Sequence, residues 1–477
     1  MAPRSSNDPL GWLATLVPTV AFGVLWLPSR ALAPMLHTEA DNLLHAQLAS
    51  GALLEGSGVT GRAPLAYWLL AGPMADRSDA LTMLRWVSLI AGIIVVFAAA
   101  RTAAVCWGAA SALVCGGLLV VQPLLVPLAT TAGPPIPALA AFALASLLTA
   151  TRLRDYEELG SGTAILHALL LVLAVGLDVS LAPAVIAQIA FAAAKRPSAR
   201  GWAQLAAGWL LAAAAAAWLW SGGGPRTGPQ TMAAVWRELG QALAGPSSLF
   251  WLVPAAALLV ILVSALDSGG AALRDPGLAL AAGLVVLTPL AVVLGGGRWP
   301  GAMGAETMTS VVLGVALLAG CAAAQWSGRT RHRIVVVALV VALALVGWRG
   351  HALVAPSWHN ADGNPPLSRD LAMRAQPGQV VVVDDLAVTG LGAAVAAQLG
   401  DARLWQQSRA DLPAQHRTIF SVVSSSPWAT RPAGLEGVHG RLVWITAEDS
   451  PRSAPPACTP TRTDHYGAME MTEFACP

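Results

Sequence analysis

The chain contains a long succession of apolar stretches, most of them close to twenty residues, separated by short polar connections. A helix needs about 20 apolar residues to cross the hydrocarbon core of a bilayer. Because backbone polar groups in lipid must be satisfied within the segment, such stretches are expected to be helices. We therefore predict an α-helical polytopic membrane protein with about eleven transmembrane helices. The windows lie at 10–28, 82–101, 103–126, 133–151, 163–177, 180–194, 202–220, 247–266, 278–296, 307–325 and 334–350.

The charged residues divide the chain into two domains. Residues 351–477 carry 9 Arg and 12 acidic residues, so 21 of 127 positions are charged, whereas residues 1–350 carry the other 33 of the 54 charges. We predict a transmembrane domain over 1–350 and a small α/β domain over 351–477. The net charge of +2 argues against nucleic acid as a partner.

Short apolar runs in the tail predict its secondary structure. The runs Val380–Val383, Thr418–Val423 and Leu442–Ile445 are typical of buried strands, and 391–399 is typical of a helix. Since helix and strand signals occur in the same short segment, an α/β fold is the expected class for the tail.

Lys and Arg in the short connections predict the orientation in the membrane. With the N-terminus cytoplasmic, the inner connections collect eleven basic residues and the outer ones seven. An odd number of spans then places the tail outside the cytoplasm, in a multi-pass protein of the plasma membrane. There Cys458 and Cys476 are expected to form a disulfide, since disulfides persist in oxidising compartments; two free thiols are the alternative.

The first outer loop, 29–81, carries the most informative polar residues. Glu39 and Asp41 lie just beyond the first span, where partial desolvation can raise the pKa of a carboxyl into the range of a general base. The alternative is that Thr38 and Asp41 cap an amphipathic helix. No obligate cofactor is expected, although His37 and His45 beside the two carboxylates could bind a divalent cation.

Several elements of this loop occur together in a known pattern. An acidic pair, Glu39-Ala40-Asp41, is followed by Ala49-Ser50-Gly51, then by the basic-Pro-Leu-aromatic element Arg62–Trp68, and by Arg85-Trp86 at the head of the second span. In this respect the chain resembles the GT-C glycosyltransferases, in the branch that contains protein O-mannosyltransferases and the aminoarabinose transferase of lipid A.

The resemblance implies an integral-membrane glycosyltransferase that works with inversion on the outer face. The donor would be a mannose- or arabinose-type sugar on a polyprenyl phosphate, and the acceptor an envelope glycan, glycolipid or protein among the membrane lipids. Glu39 and Asp41 would supply the general base, and Arg62 and Arg298 would hold the donor phosphate. The supporting residues implied are His37, His45, Tyr67, Trp68 and Glu306.

Three positions depart from the family pattern. Thr38-Glu39 replaces an adjacent Asp-Glu pair, Thr131–Pro135 lacks an acid after the third span, and Glu306 lies where an Arg-Tyr element is common. A catalytically silent scaffold or partner of envelope enzymes therefore stays as the alternative function. A lipid or solute transporter ranks lower, because the predicted spans carry almost no ionisable residues and transport pathways commonly need them.

Overall fold

The structure is a computed structural model of the whole chain. The residues that it describes are 9–28, 39, 42, 46, 64–75, 80–122, 124–155, 158–221, 258, 275–295, 309–326, 380–384, 403–408, 419–424, 440–447, 458–466 and 469–477.

The described part of the first 350 residues is helical. Its α-helices are α1 Pro9–Trp26, α2 Leu65–Ala75, α3 Ala80–Trp107, α4 Ala109–Val120, α5 Leu125–Thr130, α6 Pro135–Asp155, α7 Ser161–Leu177, α8 Val185–Lys195, α9 Ala199–Ser221, α10 Pro276–Ala282, α11 Thr288–Gly295 and α12 Thr309–Trp326. A 3₁₀ turn, Val179–Ala184, leads into α8, and a π turn, Gly283–Leu287, joins α10 to α11.

Four of these helices are long and apolar enough to cross a membrane: α1, α3, α6 and α9. The protein is therefore a membrane protein by the length and composition of its helices. The other predicted windows within the described residues correspond to shorter or interrupted apolar helices, so the count of eleven spans is not confirmed. The windows 247–266, apart from residue 258, and 334–350 lie outside the described residues.

One predicted helix boundary is wrong. The sequence predicted a break near Arg101, but α3 continues to Trp107 and ends before Gly108, whose φ of 102° favours glycine. Arg101 lies within the helix, and its guanidinium carbon is 3.9 Å from the centre of the Trp12 ring. This cation–π contact accommodates the charge on the side of α3.

Close approach of helix backbones holds the helical unit together, as is common in membrane bundles. A Cβ at Gly116 of α4 would lie only 2.5 Å from Cγ of Pro18 in α1, and one at Gly283 would lie 2.8 Å from Cα of Ala187 in α8. The absent side chains therefore allow these helix pairs to pack directly against each other.

Tryptophan side chains at the two ends of α1 contact α4 and α3. Trp26 donates a hydrogen bond from Nε1 to the carbonyl of Val120, at the end of α4, over 2.8 Å. At the other end Trp12 contacts Arg101 and packs against Phe97 with ring centres 6.2 Å apart. Both contacts join ends of helices that the sequence predicted to lie on the same side of the membrane.

The described part of the tail forms a six-stranded sheet. Its strands are β1 Val380–Asp384, β2 Arg403–Ser408, β3 Ile419–Ser424, β4 Gly440–Ala447, β5 Thr459–Tyr466 and β6 Met469–Cys476. The order is β2-β3-β1-β4-β6-β5, in which β1 and β4 are parallel and every other pair is antiparallel.

Three of the six strands were predicted. The predicted runs correspond to β1, β3 and β4, whereas β2, β5 and β6 were missed and the predicted helix at 391–399 lies outside the described residues. The sequence of β5 carries no apolar alternation because the strand lies at the sheet edge with both faces largely exposed. The predicted Cys458–Cys476 disulfide is confirmed and closes the β5–β6 hairpin.

The chain divides into two compact units. The first comprises Met1–Ala31, Ala49–Leu69 and Arg85–Ala355, and the second comprises Leu32–Leu48, Leu70–Leu84 and Pro356–Pro477. The second unit therefore combines parts of the first predicted outer loop with the tail. The boundary differs from the predicted division at residue 350, because segments distant in sequence belong to one unit.

Candidate functional site

Glu39 is the described member of the predicted acidic pair, and it is fully buried in helical backbone. Asn42 and Ala46, three and seven residues further on, are also helical, and Ala46 is buried like Glu39. The carbonyl oxygen of Ala46 lies 3.3 Å from where a Cβ on Gly72 would stand, so this part of the loop packs on α2. Glu39 is thus an interior carboxylate of the second unit rather than a solvated loop charge.

The burial of Glu39 has an energetic cost. Moving an ionised carboxylate out of water is expensive unless it is paired or hydrogen-bonded. Glu39 is therefore the described residue of the loop that is best suited to acid–base chemistry.

Tyr67 and Trp68 begin α2 within the first unit. Pro64 opens the helix, and its carbonyl accepts hydrogen bonds from the backbone N–H groups of Tyr67 at 3.1 Å and Trp68 at 3.3 Å. Proline suits this first position because its missing N–H would have no partner there. Both aromatic side chains are 2% exposed, so they form the core of this unit instead of a membrane-surface belt.

Arg85 brings a positive charge into the interior of the first unit. It lies in the second turn of α3 and is buried, as is Ser88 three residues later, while the neighbouring Trp86 is partly exposed. A guanidinium can present several donors in a fixed plane, which suits phosphate and carboxylate groups. The sequence indicated Arg85 only as part of a motif and did not predict its burial.

Six of the residues proposed from the sequence lie outside the described residues. Nothing is therefore concluded about their positions relative to Glu39, Tyr67 or Trp68. They are His37, Asp41, His45, Arg62, Arg298 and Glu306.

After the third predicted span, where the GT-C pattern often has an acidic residue, the chain has threonines whose hydroxyls donate hydrogen bonds to nearby backbone carbonyls. Thr131 donates to the carbonyl of Pro127 over 3.0 Å, and Thr130 donates to the carbonyls of Val126 and Pro127, each over 3.1 Å. Just before α5 the side-chain oxygen of Gln122 accepts hydrogen bonds from the first backbone N–H groups of that helix. Residues 124–131 therefore make local hydrogen bonds and contain no carboxylate.

A buried polar network that the sequence did not predict joins four helices. His167 of α7 shares a 3.1 Å hydrogen bond with the side-chain oxygen of Gln188 in α8, and Trp209 of α9 donates to the same oxygen over 3.4 Å. The Gln188 amide then donates to Ser146 of α6 over 2.9 Å, and Ser146 donates to the carbonyl of Phe142. All of these side chains are buried.

Donor and acceptor chemistry determines the protonation of His167. The indole of Trp209 can only donate, so the atom of Gln188 that it faces is the oxygen, and Nε2 of His167 must then carry the proton. Nδ1 has no hydrogen-bond partner and lies against Gly208, where a Cβ would come within 2.8 Å of it. This packing leaves no room for a ligand, so the network positions helices.

Sequence alone offered a weak signal for this network. His167, Gln188 and Ser146 are isolated polar residues in apolar helices, and only the packing of α6, α7, α8 and α9 brings them together. Polar side chains at such positions commonly bond across helices in membrane bundles.

A second polar contact lies where α3 meets α10. Asp275 caps α10 by accepting from the N–H groups of Gly277 at 2.7 Å and Leu278 at 3.3 Å, and its other oxygen accepts from Nε1 of Trp107 at 3.0 Å. A guanidinium N–H of Arg154 donates to the carbonyl of Val105 nearby in α3 over 3.3 Å. Arg154 and Asp275 come from connections that were predicted to lie on the cytoplasmic side, whereas Val105 and Trp107 come from the predicted window 103–126.

Asp178 ends α7 and begins the 3₁₀ turn. Its carboxylate accepts a 2.9 Å hydrogen bond from the N–H of Ser180. Although part of the residue reaches the surface, the burial of its carboxyl raises the pKa above the ordinary value, and the hydrogen bond from the N–H of Ser180 only partly opposes this. Asp178 lies between the predicted windows 163–177 and 180–194, where α7 ends.

Metal ligands do not cluster in the part of the chain that the structure describes. There, no three His, Cys, Asp or Glu side chains come together in a way that could hold an ion. Cys106, Cys115 and Cys321 are free thiols within the apolar helices.

Comparison of the chain with protein-family models, with curated proteins and with solved structures finds no match. The case for a function therefore depends on the residues themselves.

Proposed function

We propose that the protein is an integral-membrane glycosyltransferase of the GT-C type with about eleven spans. It would transfer a mannose- or arabinose-type sugar from a polyprenyl phosphate to an envelope glycan, glycolipid or protein. The observation that carries the proposal is the complete burial of Glu39, in helical backbone, in the loop whose motifs resemble that family.

The proposed reaction is a single displacement. Glu39, assisted by Asp41, takes the proton from an acceptor hydroxyl as its oxygen attacks the anomeric carbon. The bond between that carbon and the phosphate oxygen breaks, and the polyprenyl phosphate leaves with the electron pair, so the anomeric configuration inverts. Arg62 and Arg298 would hold the phosphate, and the buried Arg85 is a further candidate.

Burial favours Glu39 for the role of base. Glu39 is fully buried, and a positioned carboxylate can accept the proton of an acceptor hydroxyl. Tyr67, Trp68, His37, His45 and Glu306 stay supporting candidates from the sequence.

The proposed orientation places the N-terminus in the cytoplasm and the tail outside the plasma membrane. Two observations support it. The Cys458–Cys476 disulfide fits an oxidising compartment. The second compact unit contains both the tail and parts of the loop 29–81, and one compact unit cannot lie on two sides of a bilayer.

The test is sugar transfer by the purified full-length protein from a panel of radiolabelled polyprenyl-phosphate sugars to envelope glycolipid acceptors. We expect Glu39→Gln and Asp41→Asn each to reduce transfer at least about a hundredfold, the lower range for loss of a general base. The matched control is Glu158→Gln, which changes an exposed carboxylate paired with Arg200 at 3.4 Å and should leave transfer unchanged.

Wild-type rates in both single variants and in the double variant would reject the catalytic assignment. An inactive wild-type protein that still binds polyprenyl phosphate would instead favour the second candidate, a silent scaffold of envelope enzymes. One observation favours that candidate: Thr130 and Thr131 occupy the region of the family acid, with their hydroxyls bonded to their own backbone.

A further inference from the structure

Three of the buried hydroxyl groups without a hydrogen-bond partner in the first unit lie at the beginnings of α11 and α12. They belong to Thr288, the first residue of α11, and to Thr309 and Ser310, the first two residues of α12. An unsatisfied buried hydroxyl costs on the order of 1–3 kcal/mol. Elsewhere in the described helices the usual solution is a hydrogen bond to the carbonyl four residues earlier, as in Thr15, Thr19, Thr102, Ser146, Thr149 and Thr151.

Local backbone geometry explains why these three hydroxyls lack that bond. Thr309 and Ser310 open α12, so no earlier turn of the helix offers them a carbonyl. Thr288 directly follows the π turn, and its own N–H bonds to the carbonyl of Gly283, five residues back. A π turn shifts the carbonyls away from their usual α-helical spacing, and such turns are frequent at functional sites.

The three hydroxyls lie at one level of two antiparallel helices. Gly314 of α12 packs on Leu284, where a Cβ would come within 2.7 Å of the Leu284 Cβ. Six residues later Gly320 packs on Ser111, one turn from Trp107, which itself packs on Gly277 of α10. These contacts indicate that α12 runs antiparallel to α10 and α11. In that register Ser310 is opposite Thr288.

α12 packs along α10 and the π turn, and it begins near the level at which α11 begins. The site formed by Thr288, Thr309 and Ser310, here called the hydroxyl site, therefore lies at the beginning of α12.

We propose that the hydroxyl site binds a phosphate group at the N-terminus of α12. Hydroxyls donate to phosphate oxygens, and the first turn of a helix adds backbone N–H groups and a positive dipole end. A cation is the weaker choice because that dipole end repels it. No acidic residue lies in the first turn of α12, so no carboxylate there would repel an anion.

The inference rests on the proposed function, since it assigns the phosphate to the polyprenyl carrier. That phosphate is present before and after sugar transfer, so the carrier without sugar should bind as well. Burial of the three hydroxyls strengthens such hydrogen bonds because water does not compete for the phosphate oxygens.

The experiment measures binding of a short-chain polyprenyl monophosphate to the full-length protein in nanodiscs, with the matching polyprenol and inorganic phosphate as further probes. We expect Ser310→Ala and Thr288→Val each to weaken binding of the monophosphate about tenfold or more, since a hydrogen bond to a charged group is a strong one. Polyprenol should bind weakly to every variant.

The matched control is Ser111→Ala. Ser111 is also fully buried with a hydroxyl that has no partner, but it lies beside Gly320, away from the hydroxyl site. Wild-type affinity is expected there. Melting temperatures of all three variants should equal or exceed that of the wild type, because each substitution removes an unsatisfied hydroxyl, so a loss of binding could not be attributed to unfolding.

Each outcome decides between the hypotheses. Unchanged affinity in Ser310→Ala and Thr288→Val, with a wild type that binds and transfers, overturns the hydroxyl site but leaves the proposed function intact. Equal binding of polyprenol and monophosphate by the wild type also overturns it. Failure of the wild type to bind any of the probes counts against both proposals. Competition by inorganic phosphate that is lost in the same variants supports a phosphate site whose ligand is free phosphate.

Discussion

At the scale of single residues, Asp178 connects burial to pH dependence. The pKa of its carboxyl is raised in the folded protein, so the folded state holds the proton more tightly than the unfolded state does. The stabilisation from this residue is therefore full in acid and is lost as the pH rises above about 4 and through the raised folded-state pKa.

We expect Asp178→Asn, which keeps an oxygen acceptor for the N–H of Ser180, to behave like the protonated residue. The melting temperature of the variant should exceed that of the wild type at neutral pH, and the difference should shrink as the pH falls towards about 4. Thermal unfolding in detergent at several pH values measures this. Asp178→Ala, which loses the cap, is the comparison and should be about 1 kcal/mol less stable than Asp178→Asn at every pH. A constant difference between wild type and Asp178→Asn would contradict the raised pKa.

At the scale of helices, stability depends on where glycine allows close packing. In Gly116→Ala the new Cβ would meet Pro18 at 2.5 and 2.8 Å and would force α1 away from α4. We expect a loss of about 1–3 kcal/mol in the free energy of unfolding. The matched control is Gly162→Ala in α7, where nothing lies within 4 Å, and there the substitution should be neutral or stabilise by up to about 1 kcal/mol. Equal effects in the two variants would show that helix propensity, and not close packing, sets the response.

At the scale of the whole molecule, the five cysteines report on topology. Three are free in apolar helices and two form the disulfide of the β5–β6 hairpin. We expect unfolded, unreduced protein from freshly isolated membranes to take up three equivalents of a thiol reagent, and five after reduction. Mass spectrometry counts the labels, and Cys458→Ser should raise the unreduced count to four, since it frees Cys476 while removing one thiol. Five labels before reduction in the wild type would argue against an extracytoplasmic tail.

The two predicted domains differ in how far their structure was predictable. Most of the described helices in the first 350 residues overlap the predicted apolar windows, because in lipid the backbone must bond within each segment. In the tail, only the strands with continuous apolar runs were predicted. β6 was missed because its buried Glu470 and Thr472 break the apolar pattern, and the two side chains are hydrogen-bonded to each other over 3.1 Å.

The candidate site was also predictable only in part. Its motifs and the acidic pair could be recognised from the order of residues along the loop, but the burial of Glu39 and Arg85 could not. Burial depends on which segments pack together, and the second unit combines stretches separated by hundreds of positions. The four-helix network around Gln188 was unpredictable for the same reason, since each of its polar residues is isolated in its own helix.

The sequence was sufficient to predict a helical membrane protein with a mixed-charge tail and to favour pairing of Cys458 with Cys476 over two free thiols, because hydropathy and cysteine position act locally. The tertiary structure was needed to show where α3 ends and which carboxylates and hydroxyls are buried. Those features depend on packing between distant segments, and the physical chemistry of a single stretch of chain does not specify its neighbours.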